Sequence, residues 1–169
     1  MNALPQATTQ ARPMSSVAPP LETLPSDQEL LVKTRFGVIA VQPDAVIEMP
    51  QGPLGFTQHR RFVLAELPNP KLQQYRLLQS LGDAEVSFVI TPLQPESGLI
   101  ALADIEEACS ASGFLVSDAL VLLIVTVRQE LGRIATTVNL RAPIVLDAER
   151  RLARQIVLGN PDYPVRHPL

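Results

Sequence analysis

Between Val32 and Leu158 the chain repeatedly alternates apolar and polar positions, the two-residue period of a half-buried strand. In "VKTRF", Val32, Thr34 and Phe36 fall on one face and Lys33 and Arg35 on the other. Gly37 breaks that run and "VIAV" resumes it. "AVIEMP" sets Ala45, Ile47 and Met49 against Val46 and Glu48. "RRFVLAEL", "YRLLQSL" and "VSFVITPL" predict three more strands, punctuated by the Gly- and Pro-rich "QGPLGF" and "PNP". "ALVLLIVTV", residues 119–127, is apolar on both faces and predicts a central strand packed on both sides. "ATTVNL" follows Gly132, and "PIVLDAERRLARQIVL" predicts a hairpin turning around Asp147–Arg150. Pro143 has no N–H for a ladder, so it predicts a strand start, an edge or a bulge. One stretch carries a helical period. "LADIEEACSASG" puts Ile105, Ala108 and Cys109 on one side, with Gly113 as its C-terminal cap. About nine strands with one or two short helices predict an all-β, mainly antiparallel fold, either a partly open barrel or a sandwich. The βαβ rhythm of a nucleotide-binding sheet is missing.

Composition sharpens the domain boundary. Residues 1–30 are rich in Pro, Ser, Thr, Ala and Gln and nearly free of charge, which predicts a disordered leader. Residues 31–169 then form a single domain, long enough to bury a core that Val, Leu and Ile must fill because Trp is absent. The net charge of -3 argues against direct binding of nucleic acid and suits a basic protein partner better. Cys109 is the single cysteine, which excludes an internal disulfide and fits a reducing cytoplasm. A free cysteine is most often a small buried hydrophobe. The N-terminus lacks the basic start and apolar run of a signal peptide, and the longest apolar stretch is about half a membrane span. A soluble, cytoplasmic protein without membrane association is expected.

Candidate chemistry is sparse. "GPLGF" lacks the Lys and Ser/Thr of a phosphate loop, and no serine sits in a nucleophile elbow. The histidines are His59, in the polar stretch "TQHRR", and His167, near the end; neither has zinc-type spacing to other ligands. As a base, His59 would need a carboxylate and a substrate pocket, and the sequence offers neither. No catalytic residue, metal ligand or cofactor is assigned, and the chain is not expected to be an enzyme. Asp104, Glu106 and Glu107, with Asp118 beyond, form either a face for a basic partner or the solvated side of a helix. Arg150, Arg151 and Arg154 form either an anion site or a charged turn that protects a hairpin edge. Asn139 and Arg141 share the strand face of Ala135 and Thr137. They would either fix a neighbouring loop through its carbonyls or grip a partner's backbone; spacing alone does not choose, and the local hydrogen bonding usual for polar groups in sheets favours the structural role.

An ordered set of motifs adds a further reading. "TRFGVIAVQPDAVIEMPQGPLGF", "RRFVLAEL", "LLQSL", "VSFVI", "LVLLIVTV", "TVNLRAPIVLD", "RQIVL" and "YPVRHPL" together resemble the FliW family of flagellar assembly factors. The resemblance covers roughly residues 33–169. It implies a small, non-catalytic, β-rich cytoplasmic protein that binds newly made flagellin as a chaperone. It also implies binding of the translational regulator CsrA, a small basic dimer, as an allosteric antagonist that relieves repression of flagellin translation. Arg35, Phe36 and Gly37 match the family's first-strand signature. Pro50, Gly52, Gly55 and Phe56 match its Pro/Gly loop, and Asn139, Arg141, Ala142 and Pro143 its late motif. Gln155, Tyr163 and Arg166 match its terminal part. The resemblance does not make these partner contacts, and Gly37, Gly55 and Pro143 suit backbone geometry. The competing reading is a small-ligand-binding β-barrel or barrel enzyme, which requires a deep polar pocket with a perturbed titratable group.

Overall fold

The computed structural model describes residues 29–130 and 132–169. Most of the expected leader, residues 1–28, lies outside the described residues. The first strand starts at Leu30.

Strands β1 (Leu30–Thr34) and β2 (Gly37–Val41) form a hairpin separate from the main sheet. Here one expectation is corrected. Phe36 is not on a strand face; Arg35 and Phe36 are the two turn residues between Thr34 and Gly37. Thr34 makes the turn itself, because its Oγ1 accepts from Phe36 N–H and donates to Gly37 O, both at 3.0 Å. A hydroxyl that satisfies turn groups ends the strand one residue early.

The remaining strands are β3 (Ile47–Glu48), β4 (Arg61–Glu66), β5 (Arg76–Ser80), β6 (Ser87–Pro92), β7 (Ala119–Glu130), β8 (Arg133–Val138), β9 (Ile144–Asp147), β10 (Leu152–Gln155) and β11 (His167–Pro168). Their order is β11-β8-β7-β6-β5-β4-β3-β10-β9, and β7 also pairs with β9. The pairing therefore returns on itself through β7, β6, β5, β4, β3, β10 and β9. The length of β7 makes this possible: Ala119–Leu122 pair with β9, Leu122–Val125 with β6, and Val125–Glu130 with β8. The all-β expectation holds, with one detail added: β3 and β10 pair in parallel, at Leu152 and Glu48.

Apolar residues fill both sides of this sheet. One cluster takes a residue from each of the seven ring strands, among them Ile47, Phe62, Leu78, Ile90, Leu122, Ile144 and Ala153. That composition puts it inside the ring. The second cluster uses the next residues along the same strands, Leu77, Leu123 and Val125, together with Val138, Leu140, Leu158 and Ala108. It lies on the outer face. Alternation along β7 thus feeds two cores, as an all-apolar run requires.

Helix α1 (Leu102–Ser112) covers part of the outer face. Ala108 and Cys109 are buried, and Ile105 packs beside them. Cys109 joins Phe114 and Val145 in a small third cluster. Gly113 ends the helix in the left-handed region at φ 78°, its N–H bonding to the carbonyls of Cys109 and Ser110. Among the described residues no helix is long and apolar enough to cross a membrane.

Candidate functional site

The acidic triplet sits on α1, where the expected periodicity places it. Glu106 and Glu107 are exposed, whereas Asp104 is half-buried. The difference has a local cause. The residue before the helix is Ala101, which has no side chain to cap the first turn. The C-terminal tail supplies the missing group. The Tyr163 hydroxyl accepts from Ala101 N–H at 2.9 Å and donates to Asp104 Oδ2. In a capping box the carboxylate at the third helical position reaches the cap N–H directly; here a tyrosine hydroxyl stands between them. The bond to Asp104 raises the Tyr163 pKa above its ordinary value of 10.0, and it outweighs the opposing pull of Ala101 N–H. Tyr163 is therefore a fastener between tail and helix, and Asp104 is partly committed to it.

Asn139 and Arg141 do not project side by side from a strand. β8 ends at Val138, and the chain turns. Asn139 Oδ1 accepts from Arg141 N–H at 3.0 Å and Ala142 N–H at 3.1 Å, and the Arg141 guanidinium donates to Asn160 O. The strand periodicity failed at this point because an Asn side chain can replace the ladder with a local turn. Both residues fasten backbone: Asn139 shapes the corner into β9, and Arg141 holds the tail. Pro143 is buried immediately before β9, where its missing N–H interrupts no ladder, and its carbonyl accepts from Ile156 N–H at 2.9 Å.

The Pro/Gly loop, residues 50–56, is held from the opposite side. Gln155 on β10 accepts from Leu54 N–H at 2.8 Å and donates to Ala142 O at 3.0 Å. One side chain thereby ties the loop to the corner after Arg141. Gly52, at φ 63°, allows no side chain: a Cβ there would lie 2.6 Å from Phe56 O and 2.7 Å from Thr57 Cα. Gly55 has φ 82° and Gly37 φ 127°. Phe56 stacks edge-on against Phe88 at 5.2 Å, and Phe88 approaches Phe62 at 6.2 Å, so an aromatic row leads from the loop into the ring. Arg35 crosses from the hairpin tip to Ser87 Oγ at 3.1 Å, with its guanidinium 5.8 Å from the Phe36 ring. Arg166 is exposed in the tail.

His59 and Ser80 approach each other, Nδ1 to Oγ, at 3.1 Å. Ser80 is only 1 % exposed and its Oγ already accepts from Gly82 N–H, so the pair lacks the accessible hydroxyl a nucleophile needs. The cleft beside them holds about 260 Å3 and is lined by Arg60, Arg61 and Gly82, with no carboxylate among its lining residues. Cys109 is fully buried, and desolvation raises its pKa, which leaves a packing role. Among the described residues no group of three or more His, Cys, Asp or Glu is placed to hold a metal ion.

Two features of the surface escaped the sequence reading. The outer face of the β1–β2 hairpin exposes Leu31 (75 %), Val38 (61 %) and Ala40, with Lys33 beside them opposite Val38. Its signal was the shortage of polar residues in "GVIAV". The second is charge segregation. From Leu77 to Val127 the chain carries Asp83, Glu85, Glu96, Asp104, Glu106, Glu107 and Asp118 and not one Lys or Arg. A charge count along the chain would have found it.

Residues 30–169 match the family model described as FliW protein. The chain belongs to the FliW family. Similar proteins include the flagellar assembly factor FliW of Geotalea uraniireducens, 40 % identical over 136 residues and 80 % of each chain. That of Natranaerobius thermophilus is 32 % identical over 148 residues, 82 % of this chain and 91 % of the relative. A crystal structure of the flagellar assembly factor FliW is similar in fold, with a TM-score of 0.63 and 27 % identity, across 83 % of this chain and 96 % of that one. The FliW match begins where β1 begins. It takes in every fastener described above: Arg35, Asn139, Arg141, Gln155 and Tyr163.

Proposed function

We propose that this FliW chain serves flagellar assembly by binding other proteins: it holds flagellin as a cytoplasmic chaperone and binds CsrA as an allosteric antagonist. The observation that carries the reading is the exposed Glu106–Glu107 pair on α1, in a stretch of seven carboxylates without a Lys or Arg. Such a surface steers a small basic dimer toward the helix and selects against acidic competitors. The exposed Leu31, Val38 and Ala40 on the outer face of the β1–β2 hairpin, with Lys33 among them, support the other half of the reading, because an amphipathic flagellin segment needs apolar surface to leave water. The ligand-barrel alternative finds less support: residues from all seven ring strands pack the ring's interior. Isothermal titration of the full chain with CsrA tests the reading. The wild type forms a complex whose affinity falls with added salt. Glu106→Lys with Glu107→Lys weakens it tenfold or more while the circular dichroism spectrum and Tm stay in place. Undiminished affinity in the double variant at low salt would remove α1 from the interface.

A further inference from the structure

A second charged surface, opposite in sign, lies on β4, β3 and β10. Hydrogen-bonded register aligns Arg61, Glu48, Leu152 and Asp147 in one row across β4, β3, β10 and β9. Backbone bonds set two more arginines on either side of β3: Glu48 N–H donates to Arg151 O at 2.8 Å, and Met49 N–H donates to Arg60 O at 2.7 Å. Strands two apart are about 10 Å from each other. Arg61, Arg150, Arg151 and Arg154 thus gather within a small area, against Glu48, Asp147 and Glu149, whereas Arg60 stands opposite the buried Met49 and lines the cleft beside His59 and Ser80. Two of those carboxylates are already engaged, Glu48 by Arg61 at 3.6 Å and Asp147 by Arg150 at 3.8 Å. Arg151 and Arg154 enter no ion pair among the described residues.

Two independent features point outward from this wall. Arg151 has φ 51°, and among the described residues it is the one non-glycine residue with positive φ. Glycine or asparagine would occupy that turn position with less strain. Its side chain is exposed at the turn that leads into β10. Arg154 stands at the edge of a groove of about 140 Å3 whose other walls include Pro50, Gly52, Phe114 and Leu152. An apolar groove with a guanidinium at its rim takes an apolar side chain and the carboxylate next to it together.

We propose that this arginine wall is a docking surface for a short acidic segment of a partner protein, with an apolar side chain in the groove and its carboxylates on Arg151 and Arg154. The neighbouring acidic stretch and the negative net charge oppose a long polyanion such as RNA, whereas a segment of three or four residues spans only the wall. This surface is separate from the one argued for CsrA and stands without it.

Fluorescence anisotropy with the full chain and a labelled six-residue peptide of alternating Glu and Leu tests the proposal. Binding is expected at about 50 mM salt and is largely lost near 300 mM, where screening is strong. Arg154→Glu with Arg151→Glu loses tenfold or more in affinity. Arg154→Gln, which keeps polarity and removes the charge, loses several-fold and guards against a misfolded reversal. Arg151→Gly weakens binding while Tm holds or rises, an outcome that a purely structural arginine does not give. Three results would each overturn the proposal: no binding of the Glu/Leu peptide at low salt, equal binding by the folded variants, or a Lys/Leu control peptide binding as well. A twelve-nucleotide RNA that binds more tightly than the peptide, and depends on the same arginines, would reassign the wall to nucleic acid.

Discussion

Asn139 uses one side-chain oxygen twice, for Arg141 N–H and Ala142 N–H. Removing it leaves two partly buried donors without a partner, at roughly 1–3 kcal/mol each when fully desolvated. Asn139→Ala should therefore lower stability by about 1–3 kcal/mol in urea unfolding, and Asn139→Asp, which keeps the acceptor, by much less. Equal losses in the two variants would contradict the turn-holding role. Tyr163 gives a pH-dependent counterpart. Its pKa is raised in the folded state by the bond to Asp104. The neutral phenol is the form the fold favours, so the fastener contributes fully below the ordinary value of about 10 and fades as pH rises through the raised native value. Tyr163→Phe should lose the alkaline part of the stability profile, with a flatter Tm against pH above about 10, and should cost about 0.5–1.5 kcal/mol at neutral pH. At this scale the sequence was legible in residue type but not in partner. It offered Asn139 and Arg141 as a loop-fixing pair, yet it could not say that Asn160 receives the guanidinium or that Tyr163 stands in for a missing cap. Those partners are 19 and 59 or more residues away in the chain.

Elements are more legible, because alternation is a local property. The strands from β2 to β10, the single helix and its Gly113 cap all follow from spacing and turn residues. Ring closure does not. It depends on β7 pairing with three neighbours and on the single parallel bridge between β3 and β10, and no local pattern encodes either. Two local readings were overridden by side chains that bond their own backbone. Thr34 ended β1 before Phe36, and Asn139 ended β8 before Arg141. The loop between β3 and β4 is the element on which closure rests, since Gln155 ties it to β10 and the Ala142 corner. Gly52→Ala should be among the most destabilising single changes, at several kcal/mol, because backbone at 2.6 Å cannot yield to a methyl group. The check is thermal unfolding by calorimetry, with Gly82→Ala as the control, whose added Cβ would lie in ordinary contact with Ser80 Oγ at 3.8 Å. Similar Tm values for the two would contradict the loop's role.

At the scale of the whole molecule, charge and apolar surface divide the work. An acidic stretch runs from Asp83 to Asp118, four arginines gather on β4, on β10 and in the turn before it, and the β1–β2 hairpin presents Leu31, Val38 and Ala40 outward beside Lys33. The rest of the molecule makes these surfaces rigid. The interior is packed with aliphatic residues and the fasteners hold turns, loop and tail. Sequence alone carried the family and the fold class. It did not carry the arrangement of these surfaces, because their members come from strands far apart in the chain. The central claim is that the protein acts through these surfaces on other macromolecules. The most direct measurement is a competition experiment, in which the purified full chain is titrated with flagellin and with CsrA, singly and together, and the complexes are separated by size. The account predicts a complex with each partner alone and displacement of one by the other when both are present. Failure of the chain to form a complex with either protein would contradict it.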